Sequence, residues 1–80
     1  MNTADQTIEQ ILDLAARHFK VPREQLSATD DFYSKLKIDS LEVQNLLTHL
    51  ELHFGIELPD YELQNVADFG TLASRIQARL

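Results

Sequence analysis

Apolar residues recur along this chain at spacings of three and four, which places them on one face of a helix. The first stripe predicts a helix over about residues 3–20, with Thr3 as its N-cap and Gln6 at the spacing of a capping box. Pro22 ends this helix, because the residue before a proline disfavours the helical conformation. The apolar side chains of this stripe are Ile8, Ile11, Leu12, Ala15 and Phe19.

The clearest helical pattern begins after Asp39, a favourable N-cap that has Glu42 three residues further on. Gly55 is the predicted C-cap of this second helix. Between the two caps lies a second apolar stripe, formed by Val43, Leu46, Leu47, Leu50 and Phe54.

Two further helical segments are predicted after Gly55. A short helical turn covers about residues 60–65, and Asp68 caps a last helix. The apolar residues of this last helix are Phe69, Leu72, Ala73, Ile76 and Leu80. No segment shows strand-like alternation, so the sequence predicts an all-α fold. We expect a single domain over residues 1–80, a small four-helix bundle with three main helices, one short helix and a long first loop.

Residues 20–39 form the long first loop, and a loop of this length is unusual in a compact domain. Thr29, Asp30 and Asp31 favour turns, and one short turn is predicted around residues 23–26. The loop is expected to lie against the core through spaced apolar side chains, namely Val21, Leu26, Phe32, Leu36 and Ile38.

Composition narrows the class of protein. Of the 80 residues 44% are hydrophobic, enough for one compact core, and none is cysteine, which excludes disulfides and thiolate chemistry. The formal net charge of -6 disfavours nucleic acid as a partner, because phosphate binding needs clustered lysine and arginine. No apolar run approaches the ~20 residues of a membrane span, and the first residues do not resemble a signal peptide. We therefore expect a cytoplasmic protein, and we expect it to be a monomer.

No catalytic site is predicted within the chain. Ser40 and His49 lie on the second predicted helix, separated by about 13 Å along its axis and on opposite faces. A phosphate-binding glycine loop is excluded, because Gly55 and Gly70 are the only glycines. His49 and His53 have the spacing of a metal-binding pair, but two imidazoles alone make a weak site, so no metal is expected. The sequence therefore does not predict an enzyme.

The residues around Ser40 carry a family signature. Asp39, Ser40 and Leu41 at the start of a helix resemble the Asp-Ser-Leu motif of the acyl carrier protein family. The resemblance covers the whole chain, through the order of its helices and the segments 56–59 and 66–70. It implies that a transferase moves 4′-phosphopantetheine from coenzyme A to Ser40, and that acyl groups are carried as thioesters on this arm. It also implies that Asp39 contacts the transferase besides capping the helix.

Two features depart from the family pattern. Lys37, with Lys35 nearby, stands where the family usually has glycine, and we expect its backbone to avoid a strictly positive φ. Asn45 stands where fatty-acid carriers commonly have glutamate. The outer face of the second helix is therefore less acidic and more apolar than usual, and we interpret it as the docking surface for partner enzymes. Its residues are Leu41, Glu42, Asn45, Thr48, His49 and Leu52.

The predicted function is that of an acyl carrier protein for a fatty acid, polyketide or other specialised lipid or secondary-metabolite pathway. Expected partners are a phosphopantetheinyl transferase and acyl-transferring or synthase enzymes with basic or apolar docking sites. Shelter for the acyl group is expected between the second helix and the short third helix, near Leu46, Ile56 and Leu63. The alternative is a noncatalytic helical interaction module in which Ser40 stays unmodified, and Lys37 is its main support.

Overall fold

The computed structural model describes the backbone of residues 3–80 and the side chains of residues 6–59, 61 and 63–80. This part of the chain is helical and contains no strand. None of its helices is long and apolar enough to cross a membrane. The elements, in chain order, are α1 (Thr3–Phe19), a first 3₁₀-helix (Arg23–Gln25), α2 (Phe32–Leu36), α3 (Ser40–Phe54), a second 3₁₀-helix (Asp60–Leu63) and α4 (Phe69–Gln77).

The predicted apolar stripes form one core between the helices. α1 packs along α4, and α3 lies against α1. The prediction that the last helix includes Leu80 is wrong, because α4 ends at Gln77, and the side chain of Leu80 is exposed. All four α-helices contribute to the fully buried centre, whose largest side chains are Phe32, Phe69, Ile11, Leu46, Leu50, Leu72 and Ile76.

The predicted caps of α3 and α4 are confirmed. The carboxylate of Asp39 accepts a hydrogen bond from the backbone N–H of Glu42 at 2.9 Å. The carboxylate of Asp68 accepts one from the backbone N–H of Thr71 at 2.9 Å. Gly55 ends α3 with a left-handed φ of 68°, which glycine adopts without steric cost. Local hydrogen bonding therefore sets both ends of α3 at the predicted residues.

The long first loop contains a helix, α2, that the apolar pattern does not predict. α2 has five residues, and its N-cap Asp31 accepts from the backbone N–H of Ser34 at 3.0 Å. The predicted short turn is confirmed as the 3₁₀-helix Arg23–Gln25. Leu26 and Phe32 are buried, as expected. The other predicted anchors are partly buried against the core, namely Val21, Leu36 and Ile38.

Two predictions about helix ends have different outcomes. The second 3₁₀-helix stops at Leu63, two residues earlier than predicted, because the next residue, Gln64, is extended, with φ -63° and ψ 132°. The predicted capping by Thr3 lies outside the side chains that the structure describes.

Lys37 has a left-handed backbone conformation, with φ 55° and ψ 46°. This corrects the expectation that a lysine here avoids a positive φ. Lys37 is the C-cap of α2, and its N–H donates to the carbonyl of Tyr33, so the turn itself requires this conformation. An L-residue in the left-handed region costs about 1–2 kcal/mol. Lys20, after α1, has the same conformation, with a φ of 59°.

Candidate functional site

Ser40 is the first residue of α3, and its side chain is exposed. The carbonyl of Asp39 accepts from the backbone N–H of Val43 at 3.1 Å, while its carboxylate holds the N–H of Glu42. These bonds fix the first turn of α3, so the Ser40 hydroxyl stands at the positive end of the helix dipole. Within the described part of the chain this hydroxyl has no hydrogen-bond partner. It is therefore open to a reacting molecule.

The contacts of the three histidines are with side chains other than Ser40. The ring of His18, on α1, lies 4.8 Å from the ring of His49, on α3. His53 Nε2 lies 3.0 Å from Gln10 Oε1. His49 is about 13 Å along the helix axis from Ser40, so no imidazole of α3 can take the proton of the Ser40 hydroxyl. No group of three or more metal-ligating side chains occurs among the described residues.

Charges of both signs surround the start of α3. Asp39 and Glu42 are negative and exposed, whereas Lys35 and Lys37, at the end of α2, are positive and exposed. Neither lysine forms an ion pair with any residue that the structure describes. The site therefore presents unpaired positive charge in a chain whose formal net charge is -6.

The predicted docking surface is on the solvent side of α3. Leu41 is 70% exposed and Leu52 is 77% exposed, the largest values among the exposed large hydrophobic residues described. The Thr48 hydroxyl donates to the carbonyl of Gln44 at 3.0 Å, within the helix. The polar members of this surface are also exposed, namely Glu42, Asn45, Thr48 and His49.

A cavity of about 190 Å³ lies between α2, α3, the second 3₁₀-helix and the start of α4. Leu63 lines it, as the shelter prediction requires, but Leu46 and Ile56 do not. Leu46 instead points into the core, where it is completely buried, and Ile56 is partly buried against the core. Two of the nine lining residues, Phe32 and Tyr33, lie on α2, which the apolar pattern does not predict. The cavity is lined by Phe32, Tyr33, Val43, Gln44, Leu47, Leu63, Gln64, Val66 and Leu72.

Comparisons with known proteins point to one family. Residues 9–76 match the family model described as "Phosphopantetheine attachment site". The acyl carrier protein of Lactobacillus acidophilus is 28% identical over 74 residues, which cover 92% of each chain. That of Clostridium acetobutylicum is 30% identical over 70 residues, covering 88% of this chain and 91% of the relative. The solved acyl carrier protein from Enterococcus faecalis shares the fold, with a TM-score of 0.78, 20% identity, and coverage of 99% of this chain and all of that one.

A phosphopantetheine-bearing carrier is thus the class that the fold and the family match define. The chain belongs to the acyl carrier protein family. Members of this family are not enzymes, and they carry 4′-phosphopantetheine covalently. The residues present fit this group, because an exposed hydroxyl at a helix N-terminus suits a phosphodiester anion. The chain has no cysteine, so the thiol that holds an acyl group comes from the arm.

Proposed function

We propose that Ser40 is the residue that carries the 4′-phosphopantetheine arm. The main support is the exposed Ser40 hydroxyl, without a partner among the described residues, at the first position of a helix that Asp39 caps. During attachment a bond forms between Ser40 Oγ and the phosphorus of the arm, and the bond from that phosphorus to the nucleotide part of coenzyme A breaks. The hydroxyl proton passes to a base of the transferase, because His49 lies about 13 Å from Ser40 along the helix axis.

Asp39 has two roles in this proposal. Its carboxylate holds the N–H of Glu42 and so keeps the first turn of α3 in place. The same carboxylate is exposed and offers a negative charge to basic residues of the transferase.

We further propose that the docking surface of α3 selects the enzymes that load and unload the carrier. Leu41 and Leu52 offer apolar area, and Asn45 is uncharged. Such a surface suits enzymes whose docking sites are partly apolar, which favours a polyketide, modified-lipid or other specialised pathway over bulk fatty-acid synthesis. A cytoplasmic monomer remains the expectation for such a carrier.

The cavity beside α3 is the proposed shelter for the acyl group. Its volume of about 190 Å³ is small, so it suits a short acyl chain. Tyr33, Gln44 and Gln64 add hydrogen-bonding groups to an otherwise apolar lining, which suits a chain that carries oxygen.

Intact mass spectrometry tests the attachment. Co-expression with a broad-specificity transferase should add roughly 340 Da, the mass of one phosphopantetheine arm. Ser40→Ala should remove the addition and keep the helical circular dichroism, because Ser40 is exposed. Ser74→Ala, at an exposed serine on α4, is the matched control and should still be modified. No addition with any of several transferases would favour the alternative, an interaction module of the same fold.

A further inference from the structure

Two lysines stand at the junction between α2 and α3. Lys35 lies in the last turn of α2, and Lys37 comes two residues before the cap Asp39. Both side chains are exposed. The sequence has no lysine or arginine between Lys37 and Arg75, so these two lysines are the positive charges nearest to Ser40 along the chain.

These two ammonium groups are not used in ion pairs of the described residues. The ion pairs among the described residues are made by the guanidinium group of Arg23, which lies 2.8 Å from the carboxylate of Glu9 and 3.2 Å from that of Asp13. The protein therefore has abundant carboxylates, yet the lysines beside Ser40 stay free for another anion.

Lys37 holds a backbone conformation that glycine adopts more easily, with a φ of 55°. Residues in sparsely populated conformations concentrate at functional positions. Lys20 has nearly the same φ, 59°, after α1 and far along the chain from Ser40. At both positions a lysine at the end of a helix complements the helix dipole, but only Lys37 lies near Ser40 along the chain. Lys20 is therefore the matched reference for Lys37.

The chain geometry brings Lys37 within reach of a group on Ser40. Three peptide units separate the two residues, and three units span at most about 11 Å. A lysine side chain places its charge at the end of a flexible four-carbon stem, and a phosphodiester on Ser40 projects from the other residue. Opposite charges about 4 Å apart attract each other even at an exposed site.

We propose that Lys37 is the counter-cation of the phosphodiester that joins the arm to Ser40, and that Lys35 adds to the same positive field. This rests on the proposed attachment of the arm at Ser40. Lys37 is a positioning residue here: its ammonium group orients the first bonds of the arm and takes no part in thioester chemistry.

The test compares melting temperatures with and without the arm. Wild type, Lys37→Gln and Lys20→Gln are measured before and after loading by a broad-specificity transferase with coenzyme A, and intact mass verifies loading. At low salt the change in melting temperature on loading should be the same in wild type and Lys20→Gln. The increase in melting temperature on loading should be smaller by about 2–5 °C in Lys37→Gln, because the phosphodiester loses the ammonium group that pairs with it. In 1 M NaCl the difference should disappear through screening.

Glycine variants separate the charge from the backbone. Lys37→Gly and Lys20→Gly should each raise the melting temperature of the unloaded protein by a few degrees, since glycine relieves the left-handed strain. Only Lys37→Gly should also lose the stabilisation that depends on the arm. The ³¹P resonance of the loaded protein should shift in both Lys37 variants and stay in place in both Lys20 variants.

The outcomes distinguish the two proposals. If every variant gains the arm, but loading changes the melting temperature equally in all and the ³¹P resonance does not move, Lys37 has no role toward the phosphodiester and the attachment at Ser40 stands. If no variant gains the arm, the attachment fails, and the role of Lys37 fails with it.

Discussion

Asp31 and Asp68 face each other in an isolated antiparallel bridge, and each caps the helix that begins at the next residue. The N–H of Phe32 donates to the carbonyl of Ala67 at 2.8 Å, and the N–H of Gly70 donates to that of Ala28 at 2.8 Å. The long first loop is thereby fastened to the start of α4. This pairing explains how so long a connection is ordered, and it places α2 beside the cavity.

Acid should weaken this junction through Asp68. The hydroxyl of Thr71, which donates to the Asp68 carboxylate at 2.7 Å, lowers the pKa of Asp68, and the Thr71 backbone N–H lowers it further. Because the folded-state pKa is depressed, the stabilisation is complete above the ordinary value of 3.8 and is lost as the pH falls through the folded-state pKa. Asp68→Asn should therefore flatten the dependence of unfolding free energy on pH below about pH 4.

Urea titrations between pH 2.5 and pH 7 measure this effect. Thr71→Val is the matched variant, since it removes the hydroxyl and leaves the carboxylate in place. It should reduce the pH dependence without abolishing it, because the backbone N–H of Thr71 still donates to Asp68. Identical pH profiles for wild type and Asp68→Asn would show that Asp68 does not contribute.

The core prediction concerns Leu46 and Leu50, which are completely buried in α3. Leu46→Ala or Leu50→Ala should cost about 2–5 kcal/mol of unfolding free energy, because each leaves a cavity. A small domain has a total of about 5–15 kcal/mol, so either variant approaches partial unfolding. Leu52→Ala, at a leucine that is 77% exposed on the same helix, should stay within about 0.5 kcal/mol. Equal chemical denaturation midpoints for all three variants would contradict the assignment of the core face.

Methyl resonances in NMR spectra report where the acyl group lies. Protein loaded with a short acyl thioester should show shifted resonances for cavity residues such as Val43, Leu47 and Leu63, compared with protein that carries the free arm. Leu46 and Ile56 serve as references within the same spectrum, because they do not line the cavity. Larger shifts at these two references than at the cavity residues would place the acyl group elsewhere.

Local signals made α3 predictable. The cap Asp39, the terminator Gly55 and the apolar stripe between them all act within one helix, so the sequence pattern alone locates its ends. α2 was missed for the opposite reason: five residues are too few to show helical periodicity, and its cap Asp31 is also a common turn residue.

The features missed near the site depend on tertiary contacts. The contact between His18 and His49 joins α1 to α3, so the spacing of residues along the chain does not predict it. The cavity joins side chains of α2, α3 and α4, so its lining depends on how the helices pack, and of the residues expected there only Leu63 lines it. Lys37 has a left-handed backbone because its N–H donates to the carbonyl of Tyr33 at the end of α2. The residue type alone favours a negative φ, so the sequence did not predict this conformation.

The last prediction concerns the choice of partner enzymes. Leu52→Glu should slow acyl transfer with the native partner by about tenfold. A tenfold change corresponds to about 1.4 kcal/mol, which is roughly half the free energy gained by burying one leucine side chain. The fold should be retained, because Leu52 is 77% exposed. Leu80→Glu, at an exposed leucine outside α3, is the matched control and should leave the transfer rate unchanged.

Asn45→Glu should act in the opposite direction on enzymes with basic docking sites. It adds the negative charge that the α3 surface lacks at this position, so such enzymes should accept the loaded carrier faster at low salt. That gain should decline as salt rises, because screening weakens only the charged part of the contact. The loss that Leu52→Glu shares with Leu52→Ala comes from missing apolar area, so it should persist at high salt. Acyl-transfer rates measured across a salt series separate the two contributions. If neither variant changes the rate with any enzyme at any salt concentration, docking takes place on another face of the protein, and the preference for a specialised pathway loses its structural basis.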